Sequence, residues 1–223
     1  MLQLTTTSGL SSLSYTLPDI QHNVTVHLSG SKQVQAFLQG AEVTHRLLEI
    51  PICSHWEPGA HWHDDSVEHI RIRQGRAKVW INGQMQELGP GEETVFQLFE
   101  VHNFCRADFD TGETLIIEEW VEDDDGRKEI FFRNAFSVVG DVDKFGGLPF
   151  AFLRFFFLCA YRDNRIAFCP QSTPRWLQRL VNSCIFGVIV AIGKVAGWRS
   201  WYEEYTPQEL RLLAAQKGGE KEL

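Results

Sequence analysis

Two histidines and one glutamate, spaced as on a β-strand and the start of its neighbour, are the residues best suited to chemistry. His61 and His63 are separated by one residue, and Glu68 follows five residues later. Side chains at i and i+2 of a strand lie on one face, so both imidazoles can bind the same ion. A tight turn before Glu68 would place its carboxylate beside them and leave coordination positions open. An isolated H-x-H is more often only a polar strand, so the surrounding elements have to decide.

Those surrounding elements are predicted to be short antiparallel strands. From residue 24 to residue 120, segments with alternating apolar and polar residues are separated by turn sequences, which recur roughly every eight to twelve residues. Glu68, Ile70 and Ile72 share one face of such a segment, and His69 lies on the other. The pattern predicts an antiparallel sandwich or barrel.

The spacing of the candidate ligands resembles the two motifs of the cupin superfamily. Gly91-Glu92 is similar to the turn that opens the second motif, and His102 lies eleven residues after that glycine. Four residues match the first motif, H-x-H-x(3,4)-E-x(6)-G: His61, His63, Glu68 and Gly75. The resemblance covers about residues 24–120. It implies a mainly β fold, a small single cupin barrel (double-stranded β-helix or jelly roll), followed here by a C-terminal α-helical region.

The resemblance also implies a metal site and its chemistry. One divalent ion per chain is expected, with Fe(II) favoured and Mn, Zn, Ni or Cu as alternatives. Glu68 and His102 are also expected to take part in catalysis. The implied ligands are His61, His63, Glu68 and His102.

Three departures from the motifs concern the turns around these ligands. His55 stands where the first motif opens with glycine, and Arg106 stands where the second ends with asparagine. The P-x-G that precedes the last histidine is replaced by Gln97-Leu98-Phe99. The turn that leads to His102 is therefore expected to be reshaped, which makes His102 the ligand most in need of structural support.

The neighbouring polar residues have simpler interpretations. Asp64 and Asp65 are expected in a turn that faces water, and His69 is expected to point away from the site. His45 and His55 are not placed by the pattern.

An apolar interior is predicted from the alternation of the strands, with Arg73 and Lys78 joining it only if the register slips. Such a lining suits a hydrophobic aromatic or polyketide-like substrate better than a sugar phosphate. The predicted inward set is Ile70, Ile72, Ala77, Val79, Ile81, Phe104, and Phe96 or Leu98.

The chain is expected to divide into residues 1–127, an N-terminal arm and the barrel, and residues 128–223, an aromatic-rich helical extension packed on the barrel. The first twenty residues are the polar arm. Helices are predicted over 148–161, 173–198 and 206–216, the last one capped by Thr206 and Glu209. An apolar stripe on the second helix is predicted to be buried against the barrel, another helix or a second subunit: Leu177, Leu180, Val181, Cys184, Val188, Ala191, Ile192 and Val195.

A membrane surface is the alternative partner of these helices, with Trp176, Trp198, Trp201 and Tyr202 at its edges. The apolar run 184–193 is only ten residues long, whereas a membrane span needs about 20. The formal charge of −8 argues against a nucleic-acid partner. With no secretory leader and five widely spaced cysteines, we expect a cytoplasmic protein, with peripheral membrane association as the alternative. The aromatic surplus favours a homodimer.

The sequence therefore favours a metal-dependent cupin enzyme, an oxygenase or oxidase resembling the dioxygenases, that acts on a small molecule of secondary metabolism. A redox-neutral isomerase, cyclase, dehydratase or decarboxylase is the first alternative. A non-catalytic cupin that binds a small molecule is the second. The fold does not decide among them, because cupins have many functions.

Overall fold

The structure, a computed structural model, describes residues 4–17, 21–28, 45–122, 124–170 and 173–216. Within these ranges, two antiparallel sheets form the barrel. The six-stranded sheet has the order β1 (Ser12–Leu17), β2 (His22–His27), β3 (Arg46–Ile50), β10 (Leu115–Val121), β5 (Glu68–Gln74), β8 (Glu93–Phe96). The five-stranded sheet has the order β11 (Arg165–Ile166), β4 (His61–Trp62), β9 (His102–Arg106), β6 (Ala77–Ile81), β7 (Gln84–Leu88).

Four helices follow the barrel strands in the described part of the chain. They are α1 (Arg127–Gly140), α2 (Leu148–Tyr161), α3 (Arg175–Val195) and α4 (Arg211–Gln216). Short 3-10 helices cover Val142–Phe145 and Gln208–Leu210. The predicted fold class, a mainly β barrel followed by a helical region, is confirmed.

The interior of the barrel follows the predicted alternation. Ile70, Ile72, Ala77, Val79, Phe96 and Phe104 are buried, because alternate side chains of a strand point to one face. Ile81 is only partly buried, and Leu98 is 40% exposed and points outward. The buried side chains of this set fill the barrel. Of them, only Phe104 lines the cavity described below.

Part of the segment predicted to be a polar arm is instead a strand of the barrel, and residues 1–3 and 18–20 lie outside the described residues. Residues 12–17 form β1, which pairs with β2 from Ser12–His27 to Leu17–His22. Strand β1 also packs against α1, where the Tyr15 ring lies 5.3 Å from that of Phe136. The division of the chain at residue 127 stays a prediction, although α1 begins at that residue.

Gly75 ends the first motif at the close of β5 and cannot be replaced by a larger residue without strain. Its φ is 74°, a left-handed conformation that glycine adopts readily. A Cβ at this position would lie 3.1 Å from the Leu115 Cα on the neighbouring strand β10. The glycine therefore allows β5 to turn directly beside β10.

The predicted cap of the last helix is wrong. Thr206 does not cap a helix with its side chain, and its hydroxyl instead accepts a hydrogen bond from Asn134 Nδ2 at 3.0 Å. Asn134 is buried on α1. Thr206 thus ties the C-terminal segment to α1, and the helical turn starts after Pro207.

The predicted stripe of α3 is not buried within the chain, because the helix turns another face inward. Its burial against a second subunit stays a prediction. Its buried residues are Gln178, Asn182, Phe186, Ile189 and Gly193. Gln178 Nε2 donates to the Thr173 carbonyl oxygen at 3.0 Å, and Asn182 Nδ2 donates to that of Ile166 at 2.5 Å. These two side-chain amides donate to backbone carbonyl oxygens of the segment before the helix. Because buried carbonyl groups need hydrogen-bond donors, this polar side of α3 faces inward and the predicted apolar side does not.

Candidate metal centre

The four predicted ligands lie together inside the barrel, on strands from both sheets. His61 on β4 is paired directly with His102 on β9, and Glu68 is the first residue of β5 in the other sheet. His63 follows β4. All four side chains are buried, and one donor atom from each lies within 4.8 Å of the others. His63 Nε2 is 2.8 Å from Glu68 Oε2, and His102 Nε2 is 3.8 Å from Glu68 Oε1.

Each of the three histidines is oriented by a backbone carbonyl. In each histidine the donor to this carbonyl is Nδ1. His61 Nδ1 donates to the Gly59 oxygen at 2.7 Å, and His102 Nδ1 donates to the Glu100 oxygen at 2.8 Å. His63 Nδ1 donates to the Asp163 oxygen at 2.5 Å. A histidine that donates from one ring nitrogen offers the other as a lone pair, the usual arrangement around a metal-binding imidazole.

The free Nε2 of His102 supports the same conclusion. This nitrogen is buried and has no hydrogen-bond partner in the described residues, and such an orphaned buried group is costly unless something binds it. A divalent ion among the four donors would satisfy it. The donor set, three imidazole nitrogens and one carboxylate, suits Fe, Zn, Mn, Ni or Cu.

The electrostatics of the cluster favour metal binding at neutral pH. Burial lowers the pKa of His61 well below its usual range, and it lowers the pKa of His102 to about 4. Burial would raise the pKa of Glu68, but Lys128 and His63 beside it hold that pKa well below its usual range. These imidazoles are therefore neutral and the carboxylate is ionised, as a metal ligand must be.

The turn before His102 is reshaped, as expected, without displacing the ligand. Phe99 stands at the position of the motif glycine and has a φ of 65°, a conformation unusual for a bulky side chain. Its backbone N–H donates to the His63 oxygen at 2.8 Å. Phe96 stacks on His102 with the ring centroids 4.0 Å apart. The hydrogen bond from Phe99 to His63 and the stacking of Phe96 on His102 therefore stabilise the turn in place of the missing P-x-G.

Lys128 of α1 reaches the cluster and was missed by the sequence patterns. Its Nζ lies 3.3 Å from Glu68 Oε2 and 3.3 Å from His63 Nε2, and the side chain is buried. In the sequence it is one charge among many in "EDDDGRKE". Only the packing of α1 over the barrel, 60 residues after Glu68, brings it to the site.

Asp163, after α2, was also missed and organises the turn between two ligands. One carboxylate oxygen accepts from the Asp64 and Asp65 backbone N–H groups at 2.7 and 3.0 Å. The other accepts from the Ser66 hydroxyl at 2.7 Å. Since its backbone oxygen also holds His63, one residue of the extension fixes both a ligand and the turn toward Glu68.

Glu119 places a second buried carboxyl at the cavity. It is 3% exposed on β10, in the inward row that also contains Leu115, Ile117 and Val121. A charged residue in an apolar row is the pattern that could have identified it. Burial and the nearby Glu68 carboxylate raise the pKa of Glu119 to about 8, so it carries a proton at neutral pH.

A cavity of about 310 Å³ opens beside the cluster, between the barrel and the helices. His61, His63 and Glu68 contribute to its wall, together with Glu119 and Lys128. The opposite wall consists of aromatic rings of α1 and α2: Phe131, Phe132, Phe136, Phe152, Phe155 and Phe156. An apolar pocket with a few converging polar groups is typical of sites for organic small molecules.

The remaining polar candidates lie outside the cluster. Asp64 accepts from the Arg165 side chain at 2.8 Å within its turn. His69 and His45 stack on the two sides of Trp120, with centroids 4.9 and 4.8 Å away. His55 is exposed and stacks on Phe109.

Two basic residues also keep the positions that the alternation predicts. Arg73 and Lys78 are only partly buried, and neither lines the cavity. Arg106, at the place of the motif asparagine, donates to the Ile50 carbonyl oxygen at 3.0 Å and has a structural role.

The four predicted ligands thus lie together in the barrel, close enough to hold one metal ion. No protein-family model and no curated protein matches the sequence. Solved structures of cupin and double-stranded β-helix proteins are similar to parts of the chain.

Three of these structures illustrate the similarity. A predicted oxalate decarboxylase from Thermotoga maritima is 18% identical over 53% of this chain and 97% of its own, with a TM-score of 0.36. KdgF from Halomonas sp. is 17% identical over 36% of this chain and 69% of its own, with a TM-score of 0.31. A cupin 2 domain-containing protein from Halorhodospira halophila is 17% identical over 39% of this chain and 57% of its own, with a TM-score of 0.32.

Proposed function

We propose that this protein is a metal-dependent enzyme that acts on a hydrophobic small molecule. The observation on which this rests is the position of the donor cluster. His61, His63 and Glu68 lie in the wall of a cavity of about 310 Å³ whose opposite wall is aromatic. A substrate held there would have its polar end beside the donors and its apolar body against the rings of α1 and α2.

The metal would be held by the Nε2 atoms of the three histidines and by the Glu68 carboxylate. A bound divalent ion supplies Lewis-acid or oxidative chemistry at a substrate oxygen. Fe(II), which the resemblance favours, stays a prediction, because the same donors suit Zn, Mn, Ni and Cu.

Two groups of the chain can move or hold protons near the substrate. The Lys128 ammonium, 3.3 Å from Glu68 Oε2, can donate a hydrogen bond to a substrate oxygen that acquires negative charge. Glu119 in the same cavity is protonated at neutral pH and can give a proton to a substrate carbon or oxygen. The phenylalanine wall excludes water and so strengthens both interactions.

These two groups bear on the type of reaction. Oxygenase chemistry is what the resemblance favours and is our first candidate. A redox-neutral reaction, such as isomerisation, cyclisation, dehydration or decarboxylation, is the second. The buried lysine and the protonated Glu119 at one cavity support the second, because such reactions depend on general acids and bases. A polyketide-like or other aromatic substrate, a homodimer and the lack of a nucleic-acid partner also stay predictions.

Metal analysis of the purified protein tests the first step of the proposal. We expect close to one transition-metal ion per chain in the wild type and in His69→Ala, the control, whose histidine lies outside the cluster. We expect little or none in His63→Ala. Wild-type protein that stays metal-free after incubation with Fe(II), Zn(II) or Mn(II) would overturn the proposal.

An anaerobic comparison tests the type of reaction. The metal-loaded protein is incubated with a panel of hydrophobic aromatic and carbonyl compounds, with and without O2, and products are detected by mass spectrometry. Turnover only with O2 supports the oxygenase, and equal turnover without O2 supports the redox-neutral enzyme. A compound that binds but is never converted would instead indicate the non-catalytic binding protein.

A further inference from the structure

Helix α3 presents an apolar face that no other described part of the chain covers. Five exposed large apolar side chains lie on the side of the helix opposite its buried residues, two near its start and three near its end. They are Trp176 (68% exposed), Leu180 (54%), Val188 (60%), Ile192 (48%) and Val195 (92%). Exposed large apolar side chains that share one helix face mark an interaction surface. We call it the α3 face.

The length and composition of α3 suit a lipid environment. Among the helices of the described residues, it is the one that is long and apolar enough to cross a membrane, judged by length and composition only. Only 28% of its most apolar 18-residue segment is buried. Its other side, however, is tied to the protein by Gln178 and Asn182 and by the packing of Phe186 in the core. A helix held on one side by protein can rest on a membrane but cannot be surrounded by lipid.

Basic residues predominate in the sequence around α3. Between residues 164 and 202 the sequence has five basic residues and no acidic one, in a chain whose net charge is −8. The basic residues are Arg165, Arg175, Arg179, Lys194 and Arg199. Cations beside an apolar helix face are the combination that binds anionic lipid surfaces.

A groove beside the helix provides a place for lipid head groups. It has a volume of about 450 Å³ and lies between α3 and the turn after β4. Arg165, Arg179 and Lys194 contribute to its wall, together with Asp64, which accepts a hydrogen bond from Arg165 at 2.8 Å. The groove therefore keeps an excess of positive charge. Arg179 is further positioned over the Phe99 ring, 4.3 Å from its centroid.

From these observations we propose that the α3 face docks the protein onto an anionic phospholipid membrane, with α3 lying in the interface. The apolar row enters the acyl region, and the cations contact phosphates. A second copy fits the face less well. Arg175 and Arg179 occupy one end of α3 and Lys194 the other, so antiparallel and parallel pairing both bring cations near cations. The inference does not depend on the proposed enzymatic function.

Vesicle sedimentation of the full chain tests this proposal. The probes are vesicles of phosphatidylcholine alone and of phosphatidylcholine mixed with phosphatidylserine. We expect binding to the mixed vesicles and release at high salt, since surface charges are then screened. Arg175→Glu and Arg179→Glu should each weaken binding roughly fivefold or more. Val188→Glu should weaken vesicle binding about tenfold or more, because it replaces an apolar side chain that would enter the acyl region by a charged one.

Met85→Glu is the matched control. Met85 is a similarly exposed apolar residue, at 54%, but lies on β7 of the barrel, and its replacement should leave vesicle binding unchanged. The variants at Val188 and Met85 should retain wild-type metal content, which separates this test from that of the enzymatic function. Lack of binding to either vesicle type, or a wild-type dimer that Val188→Glu converts to a monomer, would overturn the proposal.

Discussion

The two walls of the cavity differ in origin and in what they supply. The barrel wall contributes the donor cluster from β4, β5 and β9, whose backbones are fixed by the hydrogen-bond ladders of the sheets. The helical wall contributes phenylalanine rings and a single ammonium, that of Lys128. The difference teaches that the candidate metal donors and the apolar lining come from separate parts of the chain. Lys128 and Asp163 are the contacts that connect the two parts.

The largest expected effect comes from the barrel wall. His63→Ala removes one of the donors, and we expect metal affinity to fall by more than about 100-fold and activity to be lost. Titration with a metal-sensitive chelator measures the affinity. His69→Ala on β5 should bind metal like the wild type. Equal affinity of His63→Ala and wild type would remove the cluster from consideration as the metal site.

The second prediction separates the two walls. Lys128→Met takes away a cation 3.3 Å from Glu68 Oε2, where it competes with a metal for the carboxylate. We expect tighter metal binding, by about tenfold, together with turnover about 100-fold or more slower. Arg127→Met, an exposed neighbour, should change neither. Loss of metal from Lys128→Met would show that the lysine positions the ligands and would merge the two roles.

Asp163 links the walls, so its replacement should have an intermediate effect. Asp163→Ala leaves the Asp64 and Asp65 N–H groups and the Ser66 hydroxyl without their acceptor. We expect metal affinity to fall roughly 10-fold, the lower end of what supporting residues of metal sites contribute. Asp143→Ala, at an exposed site, is the control. An unchanged chelator titration would mean that the barrel alone fixes His63.

The last prediction concerns the pH dependence of stability and does not involve the metal. The pKa of Glu119 is raised from 4.5 to about 8 in the fold, so the folded state keeps a proton that the unfolded chain releases above 4.5. The contribution of this group is therefore fully present below pH 4.5 and is lost as the pH rises to about 8. We expect the unfolding free energy of the metal-free protein to fall by a few kcal/mol over this window.

Denaturant unfolding at several pH values checks this expectation. Glu119→Gln keeps the size and polarity of the side chain but cannot ionise, so its unfolding free energy should vary less between pH 5 and pH 8. Parallel curves for the two proteins would contradict the assignment of a buried, protonated Glu119.

The barrel wall could be predicted from the sequence because its residues are related by short spacings on regular strands. His61, His63 and Glu68 lie within eight consecutive positions, and the two-residue period of a strand fixes their faces. His102 was predictable from its distance to Gly91, although the intervening turn differs from the motif. Glu119 could have been found by the same alternation.

The helical wall could not be predicted, because its contacts join residues far apart in sequence. Lys128 and Asp163 reach the site across 60 and 100 residues, respectively. The orientation of α3 was predicted wrongly for a different reason. Hydrogen bonds from Gln178 and Asn182 decide which face is buried, and a hydrophobic pattern does not contain that information.

The short ladder between β11 and β4 connects the candidate metal site to helix α3. Ile166 of β11 is paired with the ligand His61, and its carbonyl oxygen receives the Asn182 side chain of α3. A metal that holds His61 and a bilayer that draws on α3 would therefore act on the same pair of residues from opposite sides. By linkage, whatever factor membrane binding applies to the metal affinity, metal binding must return to the membrane affinity.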